Sequence, residues 1–89
     1  MTWRVEFSEL AQKNLEKLDP QHARRIVAFM RERVRNLADP RSIGEALKGS
    51  TLREFWKYRV GDYRIIAKIE DDTVLILVLR IGNRKEVYR

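Results

Sequence analysis

Two runs of residues on either side of Gly61-Asp62 hold side chains able to bind phosphate. Before the pair stand Arg53, Phe55, Lys57 and Arg59, and after it Arg64, Ile66, Lys68 and Glu70. The spacing is two throughout, so each set lies on one face of an extended strand. With Gly61-Asp62 as a two-residue hairpin turn, Val60 faces Tyr63, Arg59 faces Arg64, Lys57 faces Ile66 and Phe55 faces Lys68. One face then carries five cations (Arg53, Lys57, Arg59, Arg64 and Lys68) against the single anion Glu70. Two arginines directly opposite each other repel, a local cost to stability. Exposed cations interleaved with Phe55 fit a surface that grips phosphates and stacks a base. The alternative is a solvated face tolerated in a basic protein. The other face holds Glu54, Trp56, Tyr58, Val60, Tyr63, Ile65, Ala67 and Ile69, nearly all apolar, and is where covering elements must pack. Trp56 and Tyr58 are therefore expected in the core rather than under a base.

The elements that must position this hairpin are legible on both sides of it. Trp3-Arg4-Val5-Glu6-Phe7 alternates apolar and charged, as a half-buried strand does. Ser8 offers an N-cap to a short amphipathic helix over residues 9–18, with Leu10, Ala11, Leu15 and Leu18 on one face. Asp19-Pro20 starts a second helix and Asp39-Pro40 stops it. Ala23, Ile26, Met30, Val34 and Leu37 form its apolar stripe with Phe29 beside it, while Arg24, Arg31 and Arg35 lie on a polar, solvated side. Residues 41–50 read as an ordered connection. Residues 52–60, 63–70 and 73–81 then form a three-stranded antiparallel meander, divided by Gly61-Asp62 and Asp71-Asp72. The last of these is apolar on both faces and belongs in the middle of the sheet. The expected class is α+β, with an N-terminal strand and a helical hairpin packed on one face of an antiparallel β-sheet.

Composition bounds the function. Residues 1–89 make one small domain. There is no cysteine and one histidine, which removes thiolate chemistry, disulfides and multi-histidine metal sites; no cofactor is expected. The lone histidine, His22, falls in the first turn of the second helix and reads as a surface residue. Arg4, Glu6 and Glu9 interrupt any signal-peptide run, and nothing approaches the roughly 20 apolar residues of a membrane span, so a cytoplasmic location is expected. Nineteen Lys and Arg against thirteen Asp and Glu give a net charge of +6, which makes a polyanion the first candidate partner.

Three stretches, Glu45-Ala46-Leu47-Lys48-Gly49, Phe55 through Ile66, and Ile81-Gly82-Asn83-Arg84-Lys85-Glu86-Val87-Tyr88, resemble the RelE/ParE superfamily of toxins. Their order, their spacing and the preceding helical hairpin extend the resemblance over nearly the whole chain. It implies a RelE-like, microbial ribonuclease-like fold and one half of a type II toxin-antitoxin pair. The RelE branch cuts mRNA in the ribosomal A site and is silenced by an antitoxin that wraps it. The ParE branch poisons DNA gyrase. Carried over by position, the resemblance implies Lys57 and Arg59 at the scissile phosphate, Arg64 from a Tyr-Arg pair, Arg84 after a Gly-X pair, and Tyr88 near the end for base stacking or proton transfer. Glu45 aligns with a carboxylate that serves as general base in the related YoeB branch. Asn83 departs from the histidine or lysine of many relatives, and the chain ends one residue after Tyr88.

The chemistry so implied is metal-independent. The 2′-OH attacks the adjacent phosphate, charge builds on the phosphoryl oxygens, and the 5′ oxygen takes a proton as it leaves, giving a 2′,3′-cyclic phosphate. Arg64 and Arg84 are expected as phosphate clamps, since a guanidinium is permanently charged and bidentate. Lys57 and Arg59 stabilise the transition state. As base, Lys57 ranks first because Arg59 and Arg64 disfavour its charged form, and Glu45 ranks second. Tyr88 orients or protonates; Arg53, Phe55, Lys68 and Lys85 add RNA contacts. The expected partners are a cognate antitoxin, mRNA and the ribosome, which would supply substrate geometry. Two other readings stay open: a ParE-like gyrase inhibitor, and an RNA-binding module without catalysis.

Overall fold

The computed structural model describes residues 2–47 and 55–83. Chain order is β1 (Arg4–Phe7), α1 (Glu9–Lys17), α2 (Pro20–Ala28), β2 (Glu45–Ala46), β3 (Phe55–Val60), β4 (Tyr63–Glu70) and β5 (Leu75–Asn83). The strands form one five-stranded sheet in the order β1-β5-β4-β3-β2. It is antiparallel from β5 to β2, as expected, while β1 runs parallel to β5, which makes the sheet mixed. The α+β arrangement and the helical hairpin on one face are as the sequence implies. The apolar strand at the end of the meander, β5, is an interior strand paired on both sides, between β1 and β4, while β4 is the central one of the five.

Both helix starts follow their capping signals. Ser8 accepts a hydrogen bond from the Ala11 amide at 3.1 Å, and Asp19 accepts one from the Gln21 amide at 2.9 Å with Pro20 in the first turn. Helix α2 does not stay regular: it widens to a π-turn over Phe29–Arg33 and tightens to a 3-10 turn over Val34–Asn36. The spacing of its core residues explains the widening. Ile26, Met30 and Val34 are all fully buried and stand four apart, and on a regular α-helix each such step drifts the side chain by about 40°. A wider turn cancels part of that drift and keeps all three on the sheet.

Against these residues pack Tyr58, Val60, Ile65, Ala67, Ile69, Ile76, Val78 and Ile81, with Trp3 and Ala11 completing the core. The face assignment made from the hairpin therefore holds. Leu10 does not join: it is 51% exposed, and Ala11 takes the contact instead. The last strand starts at Leu75 rather than at 73, because the turn spans four residues and closes with Val74 at φ 51°, a left-handed conformation that strains a β-branched residue.

The connection after α2 is ordered, and its anchors are specific. The buried Tyr58 hydroxyl donates to the Pro40 carbonyl at 2.6 Å. Arg41 reaches both carboxylate oxygens of Asp71 in the β4-β5 turn, at 3.1 and 2.6 Å, with its guanidinium over the Trp56 ring. Gly44 then passes so close to β3 that a Cβ there would meet Tyr58 Cε1 at 2.9 Å and the Lys57 carbonyl oxygen at 3.3 Å. This close passage lays Glu45 and Ala46 onto the edge of β3.

Candidate nucleic-acid interface

The hairpin register is the one implied by a two-residue turn: Phe55 opposite Lys68, Lys57 opposite Ile66, Arg59 opposite Arg64 and Val60 opposite Tyr63. Gly61 sits at φ 58°, which a residue with a side chain adopts only under strain. With the helices on one face, Lys57, Arg59, Arg64 and Lys68 share the other. Arg53, Arg84, Lys85 and Tyr88 lie outside the described residues.

The lysines and the arginines of this face differ in their surroundings. Lys57 Nζ lies 3.5 Å from Glu45 Oε2, directly across the β2-β3 pairing, and Lys68 lies 3.6 Å from Glu70. The Lys57 side chain is mostly covered, at 18% exposure, while that of Glu45 is open at 78%. The two candidate bases are thus brought together, and Lys57 has a carboxylate beside it as well as the arginines on which its ranking rested. Among the described residues, no carboxylate lies within ion-pair distance of Arg59 or Arg64.

Arg64 differs from the expectation of an exposed cation: it is only 8% exposed. It stands between Arg59 on β3 and Gly82 on β5, and a guanidinium nitrogen makes a long contact of 3.5 Å to the Tyr63 carbonyl. A buried cation without a counter-charge is costly to hold, and an incoming anion relieves that cost. Its planar fork matches a phosphate with two parallel bonds.

Strand β5 adds a residue that the sequence reading missed. The β4-β5 register shifts between Ile66 and Ala67: Ile66 pairs with Arg80 and Ala67 with Val78, so Leu79 is an extra residue, a β-bulge. Arg80 therefore joins Ile66 and Lys57 in one row on the basic face, and it is exposed. The available signal was an arginine in phase with the core residues Ile76 and Val78, a position no charge tolerates unless the alternation breaks.

His22 stays apart from this face. Its ring lies 5.4 Å from that of Tyr63, at a cavity of about 150 Å³ that Arg25 and Asn83 also line, well below the roughly 300 Å³ of a small-molecule site. Arg24, Arg31 and Arg35 are exposed as expected, with Arg31 over the Phe7 ring. Among the described residues, no group of three or more His, Cys, Asp or Glu could hold a metal ion, and no helix is long and apolar enough to cross a membrane. The arrangement is an open, cationic sheet face with the Lys57-Glu45 ion pair at its rim.

Comparison with known proteins agrees with this geometry. The family model of the ParE toxin of type II toxin-antitoxin systems matches residues 5–88. The chain belongs to the ParE toxin family. As a toxin of RelE/ParE type, it is 28% identical over 89 residues to Toxin RelG of Mycobacterium tuberculosis, covering all of this chain and 99% of the relative. Its fold is similar to a chain of the RelBE2 toxin-antitoxin complex of M. tuberculosis, with a TM-score of 0.83 and 26% identity over 97% of the toxin and 95% of that chain. It is similar also to a chain of the archaeal RelE-RelB complex of Pyrococcus horikoshii, at TM-score 0.72 and 28% identity over 97% and 99%. The isolated RelE toxin of Escherichia coli, at TM-score 0.71 and 22% identity over 97% and 90%, shares the fold.

Proposed function

We propose that this toxin is a cytoplasmic, ribosome-dependent endoribonuclease that cuts mRNA in the A site and so inhibits translation. The observation that carries the reading is the Arg59-Arg64 pair, two guanidinium groups with no carboxylate partner among the described residues, beside the Lys57-Glu45 ion pair. A structural purpose would be better served by opposite charges across the strands. Arg64, and Arg84 by its position in the sequence, hold the scissile phosphate; Arg59 and Lys57 stabilise the charge that builds on its oxygens. An ammonium has three donors and no acceptor, whereas its carboxylate partner accepts directly. Glu45 therefore takes the 2′-OH proton and Lys57 serves the phosphoryl oxygens. Tyr88 orients the base or protonates the 5′ oxygen, and Arg53, Phe55, Lys68 and Lys85 extend the RNA contact. No metal takes part. An open face rather than a pocket suits a polymer whose geometry the ribosome supplies. A cognate antitoxin restrains the toxin in its host, as the toxin-antitoxin complexes among its structural neighbours suggest.

A second reading, inhibition of DNA gyrase through protein contacts, is favoured by one finding: the matching family model is that of ParE. Primer extension separates the two. A defined mRNA is incubated with the toxin and programmed ribosomes with an empty A site, beside a tube without ribosomes. Cleavage in the A-site codon, lost on substituting Arg64 and Tyr88, supports the ribonuclease. Intact mRNA, with toxicity surviving both substitutions and supercoiling blocked, replaces it with the gyrase inhibitor.

A further inference from the structure

We propose that Arg80 is a third arginine of the nucleic-acid face, binding the backbone phosphate next to the one held by Arg59 and Arg64; this rests on the ribonuclease reading above.

The argument begins with the bulge. Strict alternation from Leu75 would turn Arg80 toward the helices with Ile76 and Val78. The extra Leu79 instead brings Arg80 to the open face and returns Ile81 to the core, where it is 3% exposed. Holding a bulge at this point needs substitute partners, and α1 supplies them. Beyond Phe7 there is no further β1 residue to pair with β5. There the Ser8 hydroxyl donates to the Leu79 carbonyl at 2.9 Å, and the Ile81 amide donates to Asn14 Oδ1 at 2.9 Å. The residue that caps α1 and a side chain of the helix itself thus satisfy backbone groups on either side of Arg80, and the bulge is a built feature.

The placement suits a phosphate. Gly82 pairs with Arg64, so Arg80, two residues earlier, is the diagonal neighbour of Arg64 on the same face, about 7–8 Å away and within reach of long side chains. Arg80 also ends the row that runs from Glu45 through Lys57 and Ile66. Among the described residues, it has no carboxylate within ion-pair distance. Among the described residues, Arg59, Arg64 and Arg80 therefore form a triangle of arginines with no carboxylate partner, with Gly82 presenting no side chain between them.

The test measures binding of a fluorescein-labelled, fully 2′-O-methylated RNA of about 12 nucleotides to wild type, Arg80→Gln, Arg80→Lys and Arg24→Gln across a range of salt. Arg24 is an exposed arginine of α2 and controls for net charge. The expected result for Arg80→Gln is affinity lower by about tenfold and a log-log salt slope shallower by about 0.7, the loss of one single-strand phosphate contact. Arg80→Lys keeps the slope, and Arg24→Gln matches wild type.

Equal losses in Arg80→Gln and Arg24→Gln, an unchanged Arg80→Gln, or wild type that binds no RNA at any salt would each overturn the proposal. The ribonuclease reading is scored separately. Wild type that cleaves while Arg80→Gln binds normally sinks Arg80 alone. Wild type that binds through Arg80 without cutting on ribosomes sinks the ribonuclease alone.

Discussion

Arg64 carries the sharpest expectation at the scale of single residues. On the ribonuclease reading, the buried Arg64 guanidinium offers a phosphate two parallel bonds, where a lysine would offer one point charge. Arg64→Lys should therefore lower the A-site cleavage rate by about 100-fold, the loss of one transition-state donor, with unchanged circular dichroism; single-turnover primer extension measures it. The pairing of Arg59 with Arg64 was legible in the sequence because a two-residue turn leaves only one register. The burial of Arg64 was not, since it depends on what stands beside it on β5. Nor was the contact between Glu45 and Lys57, which needs a two-residue strand that no period can announce.

Among the elements, β2 is the most delicate, because its two residues are held through the loop before it. Gly44→Ala places a methyl against the Tyr58 ring, which is itself fully packed. It should push β2 off β3, separate Glu45 from Lys57 and lower stability by about 1–3 kcal/mol, read as a lower urea midpoint together with slower cleavage. Tyr58 ties the same loop from below, and burial pushes its hydroxyl up to about 12. An acid held neutral by the fold contributes stability that is complete below the ordinary tyrosine range and is lost as the pH rises through about 12. Tyr58→Phe should cost about 1–3 kcal/mol at neutral pH by stranding the Pro40 carbonyl. It should also show a smaller further loss than wild type between about pH 10 and 12, visible as converging urea midpoints. The long elements were readable because caps, stripes and alternation repeat one message over many residues. The π-turn in α2 and the bulge in β5 were not, because each is an exception imposed by packing against another element.

For the molecule as a whole, the sheet divides the labour: the helix-covered side supplies stability and the open side the charge. One tie crosses between loops. The hydrogen bond from Arg41 holds the Asp71 carboxyl below the usual carboxylate range and helps raise the guanidinium in turn. Stability from such a carboxylate is present at neutral pH and is lost as the pH falls through its depressed range. Asp71→Asn should therefore lower the melting temperature at pH 7 and flatten its decline below about pH 4. The effect should be small, at about 1 kcal/mol or less, because the pair faces solvent. The bulge sets a constraint of another kind. Strands tolerate changes of length at their ends, but the downstream half of β5 is phased by one supernumerary residue. Losing the codon for Leu79 would force a choice between swinging Arg80 under the helices and expelling Ile81 into water. Insertions and deletions, harmless in most surface turns, are thus forbidden at this one point, and a single-codon frame guards the charge pattern of the open face.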